Sequence, residues 1–353
     1  MVLCHLQLIS LKPGVTPAAF LGKLRRAGVR PVVRGRVVRW MVLPTHLSTG
    51  HLLSRNLQWD LLLVLEDKEQ RHGDDDDRGE PREPASLLPH DVRRDVAAAW
   101  SASCGVPAHA LAGYSAANAA LLRPPLGARV VPPPELPEVD SPVPARQFPS
   151  SFSSHSSHFS HSSSPYPGDS ARWSAAAQRD LDFEASLEMG EWIASLPSPL
   201  REQPVTMVSL VALRAGERHR RRQHRDDSSR SRGDDERGAA PRHGRGASAA
   251  APLANDAGAR HGARVKLSGD VVAAGGGSGA VAARVGDAGW DEFALVHFPS
   301  VQHYAAMAAT ADYQEASRRY RLRTLEDALV LCVLEVDDDG VVINLQSTSR
   351  ERL

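Results

Sequence analysis

The stretch that decides the fold is residues 290–337, which begins Trp290-Asp-Glu-Phe-Ala-Leu-Val-His-Phe-Pro-Ser300 and ends Leu329-Val-Leu-Cys-Val-Leu-Glu-Val-Asp337. Two short apolar runs, 295–298 and 329–336, predict strands that are covered on both faces. Between the two runs, Ser300 is a good N-cap residue for one helix and Thr310 for a second. The stretch therefore predicts strand, helix, strand, and it contains no cluster of residues typical of one particular activity.

The same stretch resembles a known family. The residues that carry the resemblance are Phe298-Pro299-Ser300, Asp312-Tyr313-Gln314 and the pair Arg321-Leu322. They are similar to the C-terminal half of a widespread family of small domains of unknown function, number 1330, over residues 202–213 and 265–337. That family belongs to the dimeric α/β-barrel superfamily, whose units have the ferredoxin-like order β-α-β-β-α-β. The resemblance implies binding of a small organic molecule, cofactor-independent oxygenase or isomerase chemistry, or a non-catalytic structural role, and it does not choose among them.

Composition excludes several classes of protein. Lys plus Arg and Asp plus Glu number 42 each in 353 residues, so no overall charge favours nucleic acid or a membrane surface. The three cysteines, Cys4, Cys104 and Cys332, form no Cys-x-x-Cys pair and are typical of free thiols in a reducing compartment. No apolar run has the length of a membrane span, and residues 1–14 lack a secretory signal. We therefore expect a cytoplasmic protein that needs no cofactor and binds no membrane.

The N-terminal part predicts a first unit over residues 1–122. Residues 2–11, 31–43 and 57–66 predict strands, and Thr16 followed by Pro17 predicts the start of a helix. From Asp91, the apolar residues Val92, Val96 and Trp100 recur every four residues and predict a second helix. Residues 108–114 then predict a short closing strand. The predicted order is β-α-β-β-α-β, the ferredoxin-like order.

The remainder divides into a linker, a helix and a second unit. Residues 123–170 are rich in Pro, Ser and His and predict a disordered linker, and residues 171–200 predict a connecting helix. The second unit is predicted over 201–337, followed by a tail at 338–353. Within it, Leu253 is the only large apolar residue between positions 214 and 263, so this part is predicted to be disordered. It is either a genuine insertion or a stretch that is not the native reading of the gene.

A short internal repeat predicts that the two units are copies of one fold. Residues 8–14, Leu-Ile-Ser-Leu-Lys-Pro-Gly, parallel residues 210–216, Leu-Val-Ala-Leu-Arg-Ala-Gly, and Trp59-Asp60 parallels Trp290-Asp291. Strands in both units are apolar on both faces, and a soluble monomer rarely exposes such a surface. We therefore predict that the two sheets meet within one chain as a pseudo-two-fold α/β barrel, so that the chain is able to remain monomeric.

The candidate ligand-pocket residues are polar side chains on the predicted strands and helices: His5, Gln7, Ser209, His297, Tyr304 and Tyr313. His297 is either a general base or ligand contact, or a core histidine with a backbone partner. The sequence assigns no catalytic residue. The three histidines His155, His158 and His161 lie in a serine tract without orienting partners, so we predict no metal site.

An RNA-recognition module is a further alternative, because residues 293–298 carry a similar aromatic core. Asp291 and Glu292 stand where such a module needs a basic residue and a glycine, which argues against nucleic-acid binding. The remaining alternatives are an enzyme or a small-molecule binder, each of which needs a pocket, and a structural or interaction protein with a filled core.

Overall fold

A computed structural model describes residues 1–54, 57–67, 87–124, 187–230, 256–276, 283–284 and 289–343. In the N-terminal half the elements are β1 (Val2–Leu11), α1 (Pro17–Arg26), β2 (Val33–Val42), α2 (Thr49–Leu52), β3 (Leu61–Glu66), α3 (His90–Arg93), β4 (Val96–Val106), α4 (Ala108–Ala112) and α5 (Tyr114–Leu122). Helix α1 begins as its sequence predicts, because the Thr16 hydroxyl accepts a hydrogen bond from the Ala19 N–H and Pro17 needs no N–H partner.

The C-terminal half contains α6 (Leu187–Ser195), α7 (Ser198–Arg201), β5 (Val205–Leu213), α8 (Ala215–Arg230), α9 (Asp256–Arg260), β6 (Arg264–Gly276), β7 (Ala283–Arg284), β8 (Glu292–Phe298), α10 (Val301–Ala308), α11 (Ala311–Thr324) and β9 (Leu325–Glu335). The strand–helix–strand prediction for residues 290–337 is therefore confirmed. Thr310 caps α11 by accepting a hydrogen bond of 3.3 Å from the Tyr313 N–H. Val330, Cys332 and Leu334 are buried, as a strand covered on both faces requires.

The strands form one closed antiparallel barrel in the order β4-β1-β3-β2-β9-β5-β8-β6, with β6 pairing back onto β4. The short β7 adds to β6 outside this ring of eight strands. Each half contributes four neighbouring strands, and the halves join at β2–β9 and at β4–β6. Because every pairing in the ring is antiparallel, β1 and β5 run in the same direction along the barrel. Both junctions lie within one chain, so the barrel needs no second copy to close.

Alternation along the strands sorts the apolar side chains into an interior and two outer clusters. The interior cluster draws on both halves and includes Leu6, Leu8, Leu62, Val64, Trp100, Ala102, Val208, Leu210, Leu267, Phe293, Leu295, Leu329 and Leu331. One outer cluster packs α1 and α3 against β1 and β3, and the other packs α6, α10 and α11 against β5, β8 and β9. The barrel interior is therefore largely filled by apolar side chains, which is typical of a small barrel.

The two Trp-Asp pairs of the sequence repeat make the same contact in the two halves. The Asp60 carboxylate accepts a hydrogen bond of 2.7 Å from the Leu11 N–H, and the Asp291 carboxylate accepts one of 2.7 Å from the Leu213 N–H. The Asp60 N–H also donates a hydrogen bond of 2.9 Å to the Ile9 carbonyl of β1, and the Asp291 N–H donates one of 2.9 Å to the Val211 carbonyl of β5. Each aspartate thus ties the start of one strand to the end of its neighbour.

The prediction for residues 91–114 is wrong in both of its elements. The helix expected from Asp91 ends after one turn at Arg93, and Val96 and Trp100 lie in strand β4. A spacing of four residues fits a helix, but it is also an even number and so fits one face of a strand. Pairing with β1 on one side and β6 on the other decides for the strand. Residues 108–112, expected as the closing strand, form α4 instead.

The prediction of disorder for residues 214–263 differs from the structure where the residues are described. Ala215–Arg230 is the helix α8 and Asp256–Arg260 the helix α9, whereas residues 231–255 lie outside the described residues. Helix α8 contains no large apolar residue, and ion pairs hold it against the start of β8 instead. Arg218 contacts Asp291 at 2.8 Å, and Arg221 pairs with Glu292.

The predicted linker and connecting helix are described only in part. Apart from residues 123 and 124, the linker at 123–170 lies outside the described residues, and residues 171–200 are described from 187 onward, as α6 and most of α7. The predicted tail at 338–353 is described as far as residue 343. It folds back on β9 through a bridge between Val336 and Val342.

Candidate functional site

A group of buried polar side chains lies at one mouth of the barrel, where β5 and β6 begin and β8 and β9 end. Lys266 of β6 and Glu335 of β9 form an ion pair, with side chains only 1% and 3% exposed. Thr206 of β5 donates a hydrogen bond of 2.7 Å to Oε1 of Glu335 and lies 3.3 Å from the Lys266 ammonium. We name as the mouth site the six residues Thr206, Lys266, His297, Glu335, Tyr114 and Asn118.

Strand alternation and one irregularity turn these side chains inward. Glu335 continues the interior face of β9 that begins at Leu329 and Leu331. In β6, Val265 pairs with Val296 and Leu267 with Leu295, so Lys266 is an extra residue in the ladder. An extra residue of this kind is a β-bulge, which re-aims a side chain without ending the strand. The bulge lets Lys266 reach the same interior space as Glu335.

Helix α5 covers this mouth with two side chains one turn apart. Tyr114 and Asn118 are four residues apart and therefore project from the same helical face. The Asn118 amide donates a hydrogen bond of 2.8 Å to Oε2 of Glu335, and the Lys266 ammonium lies 5.9 Å from the centroid of the Tyr114 ring. Asn118 is half-buried whereas Tyr114 is buried, so the mouth site borders solvent on the Asn118 side.

Burial dominates the electrostatics of the mouth site. It lowers the pKa of Lys266, although the Glu335 carboxylate opposes part of that shift. It lowers the pKa of His297 to about 3, with further lowering by the charges of Lys266, Arg264 and His303. It also raises the pKa of Tyr114, which the Glu335 charge raises further. At neutral pH, His297 is therefore an uncharged imidazole and Tyr114 a protonated phenol.

Three buried polar atoms of the mouth site have no hydrogen-bond partner among the described residues. They are Nδ1 of His297, the hydroxyl oxygen of Tyr114 and Oδ1 of Asn118. Each buried group left in this way costs about 1–3 kcal/mol, and native proteins keep few of them. Here they surround a charged pair within one mouth of the barrel. The arrangement brings one cation, one carboxylate, one phenol and one neutral imidazole together at one mouth of the barrel.

Of the six residues expected at a ligand pocket, the structure places His297 in the mouth site. His5 and Gln7 share the outer face of β1 with Ile9 and Leu11, and Ser209 shares the outer face of β5 with Val211 and Leu213. Tyr304 and Tyr313 lie in the outer cluster beneath α10 and α11, where the Tyr304 ring meets Phe298 edge to face at 5.4 Å between centroids. The structure therefore does not bring the six residues together.

Five of the six mouth-site residues were not expected at a site from the sequence, although two of them carry a usable signal. The chain has only four lysines, Lys12, Lys23, Lys68 and Lys266, and the last lies inside an alternating strand pattern. Glu335 keeps the same parity as Leu331 and Val333 and so shares their face. Thr206, Tyr114 and Asn118 carry no such signal, because only the fold brings them near the other two.

Comparison of the chain with protein-family models, with curated proteins and with solved structures finds no match. Within the described ranges, none of the helices is both long and apolar enough to cross a membrane. Nor do those ranges bring together three or more His, Cys, Asp or Glu side chains in a way that would hold a metal ion.

Proposed function

We propose that this chain is a single-chain dimeric α/β-barrel protein, made of two ferredoxin-like units, which binds a small carbonyl compound at the mouth site. Among the four ring strands of each half, counted in chain order without β7, the fourth pairs with the first, the first with the third, and the third with the second. That order is the ferredoxin-like one, and the equal contacts of Asp60 and Asp291 support two related units. The resemblance of residues 298–322 to the small-domain family points the same way.

The observation that carries the binding proposal is that two groups near the Lys266 ammonium, the Tyr114 hydroxyl and Nδ1 of His297, are buried without a hydrogen-bond partner among the described residues. A carbonyl oxygen would accept a hydrogen bond from the Tyr114 hydroxyl, and the nearby Lys266 ammonium would stabilise negative charge on that oxygen. The neutral imidazole of His297 is able to accept a proton from such a ligand or to donate a hydrogen bond to it. A ligand that forms hydrogen bonds with these groups would recover part of the free energy that their burial costs.

The same groups support proton-transfer chemistry without a cofactor. Glu335 is a buried carboxylate of the mouth site, and His297 is a second base. Two bases and a stabilising cation are the parts that an isomerase-type or cofactor-independent oxygenase-type reaction requires. The alternative function is that of a non-catalytic structural or interaction protein. The filled interior of the barrel favours that alternative.

A binding titration separates these two functions. Cyclohexanone, as a neutral carbonyl probe, is added to the full chain labelled with ¹⁵N at histidine, and the ring signals of His297 are followed by NMR. We expect a saturable shift of those signals. Tyr114→Phe should weaken binding at least tenfold, because it deletes only the hydroxyl that would hold the carbonyl.

The matched control is Tyr320→Phe, which deletes a hydroxyl on α11, away from the mouth site. It should leave the binding curve unchanged. If the His297 signals of the folded chain do not respond to cyclohexanone at any concentration, the binding proposal is wrong. The structural alternative then stands.

A further inference from the structure

A second cluster of buried polar side chains lies on the outer face of the barrel, away from the mouth site. His5 of β1 lies directly opposite Ser103 of β4, and Nδ1 of His5 is 3.0 Å from the Ser103 hydroxyl oxygen. On the other side of the imidazole ring, Nε2 of His5 is 3.7 Å from Oδ2 of Asp67, the residue that follows β3. Ser103, His5 and Asp67, which we name the outer-face triad, are 7%, 1% and 3% exposed.

The order of these three groups gives each one a distinct chemical role. The Asp67 carboxylate favours the His5 tautomer that carries its proton on Nε2, so Nδ1 is free to accept the Ser103 O–H. At 3.7 Å the contact between His5 and Asp67 is electrostatic, and it would shorten to a hydrogen bond when the ring gains charge. A nucleophile next to a base that is itself oriented by a third group is the arrangement that activates a hydroxyl.

The surroundings of His5 keep its imidazole in the uncharged form, which is the form that acts as a base. Burial lowers the pKa of His5, and this effect is larger than the raising effect of the Asp67 carboxylate. The imidazole is therefore uncharged at neutral pH and able to take a proton.

We propose that Ser103 is an activated nucleophile that accepts the acyl group of a small ester. Its hydroxyl oxygen forms a bond to the ester carbonyl carbon while its proton passes to Nδ1 of His5. The tetrahedral intermediate then expels the alcohol, which takes that proton from His5. A water molecule next attacks the acyl-serine, giving its proton to His5, and the carboxylic acid leaves as Ser103 recovers its proton.

The outer-face triad shares no residue with the mouth site, so the two proposals stand or fall separately. His5 projects from the outer face of β1, whereas the mouth site lies on the interior face of β5, β6, β8 and β9. Ser103 is the most exposed of the three groups, at 7%. The proposed acyl-transfer site is therefore separate from the proposed ligand site.

Active-site phosphorylation by diisopropyl fluorophosphate tests the proposal on the full chain. The serine oxygen displaces fluoride from phosphorus, and mass spectrometry of the peptides locates the modified residue. We expect one modification per chain, at Ser103. Ser103→Ala should abolish it, and His5→Gln should slow it about a hundredfold, because the general base is lost.

Ser101→Ala is the matched control, since Ser101 lies two residues away on the same face of β4 and opposite Gln7. This variant should react at the wild-type rate. The extent of labelling of Ser101 and of Ser103 can also be compared within the wild-type chain, and this comparison does not depend on whether a variant folds. Absence of label on Ser103 in the wild-type chain, or an unchanged rate in folded His5→Gln, would overturn the proposal.

Discussion

At the scale of single residues, the buried imidazole of His297 makes stability depend on pH. Its pKa is lowered to about 3 in the folded chain, against 6.5 in the unfolded chain, so the unfolded state binds more protons between those values. Stability from this group is fully present above pH 6.5 and is lost as the pH falls towards 3. We expect the free energy of unfolding of wild type minus that of His297→Gln to rise by about 1.4 kcal/mol per pH unit within this window.

Urea unfolding of the two proteins between pH 4 and pH 7 measures this difference. Subtracting the variant removes the contribution of the carboxylates, which also titrate in that range. His109→Gln is the control, because His109 is an exposed histidine on α4, and its difference from wild type should be constant with pH. A constant difference for His297→Gln as well would mean that the imidazole is not buried as described.

At the scale of secondary-structure elements, helix α8 depends on ion pairs rather than on an apolar face. Arg218 donates hydrogen bonds to the Asp291 carboxylate and the Gly289 carbonyl, both at 2.8 Å, and its side chain is 21% exposed. We expect Arg218→Ala to lower the free energy of unfolding by about 1–3 kcal/mol, because two half-buried acceptors lose their charged partner. Chemical denaturation measures this loss, and amide hydrogen exchange shows whether α8 opens.

Arg220→Ala is the matched control within the same helix. The Arg220 side chain is 73% exposed and contacts only Glu217, at 3.3 Å, among the described residues. Exposed pairs of this kind contribute little, so this variant should stay within about 0.5 kcal/mol of wild type. Equal effects of the two substitutions would show that α8 is not anchored through Arg218.

At the scale of the whole molecule, the two halves should stay together after the chain between them is cut. The strand pairings β2–β9 and β4–β6 join the two halves, and neither pairing depends on a covalent link. We expect a chain with a protease site inserted between residues 125 and 186 to elute, after cleavage, as one species of about the chain mass of 38.1 kDa. Light scattering coupled to size exclusion measures that mass, and separated halves would contradict the closed barrel.

A glycine at one junction supplies a variant that should separate the cut halves. A Cβ at Gly35 of β2 would lie 3.2 Å from Val333 of β9, so Gly35→Val pushes the junction apart. Gly50 has open space around its Cβ position, and Gly50→Val is therefore the control. We expect dissociation after cleavage only in the Gly35 variant.

Much of the fold follows from local sequence patterns. The strand end at Leu11, the cap at Thr16 and the strand–helix–strand order of residues 290–337 depend on neighbouring residues alone, so a linear pattern specifies them. The Trp-Asp pairs also marked true strand junctions. The strand β4 was missed because apolar residues four apart suit either element, and no local feature separates them.

The sequence by itself thus determined where most strands lie and that strands such as β3 and the second half of β9 are covered on both faces. Only the tertiary structure decided which face of each strand points into the barrel. When both faces of a strand are apolar, as in β3 and β5, the alternation of side chains does not show which face points into the barrel. For the same reason His5 was expected inside and lies outside, whereas Lys266 and Glu335 meet in the interior across 69 residues. Closure of the barrel brings these distant groups together, and closure is a property of the whole chain.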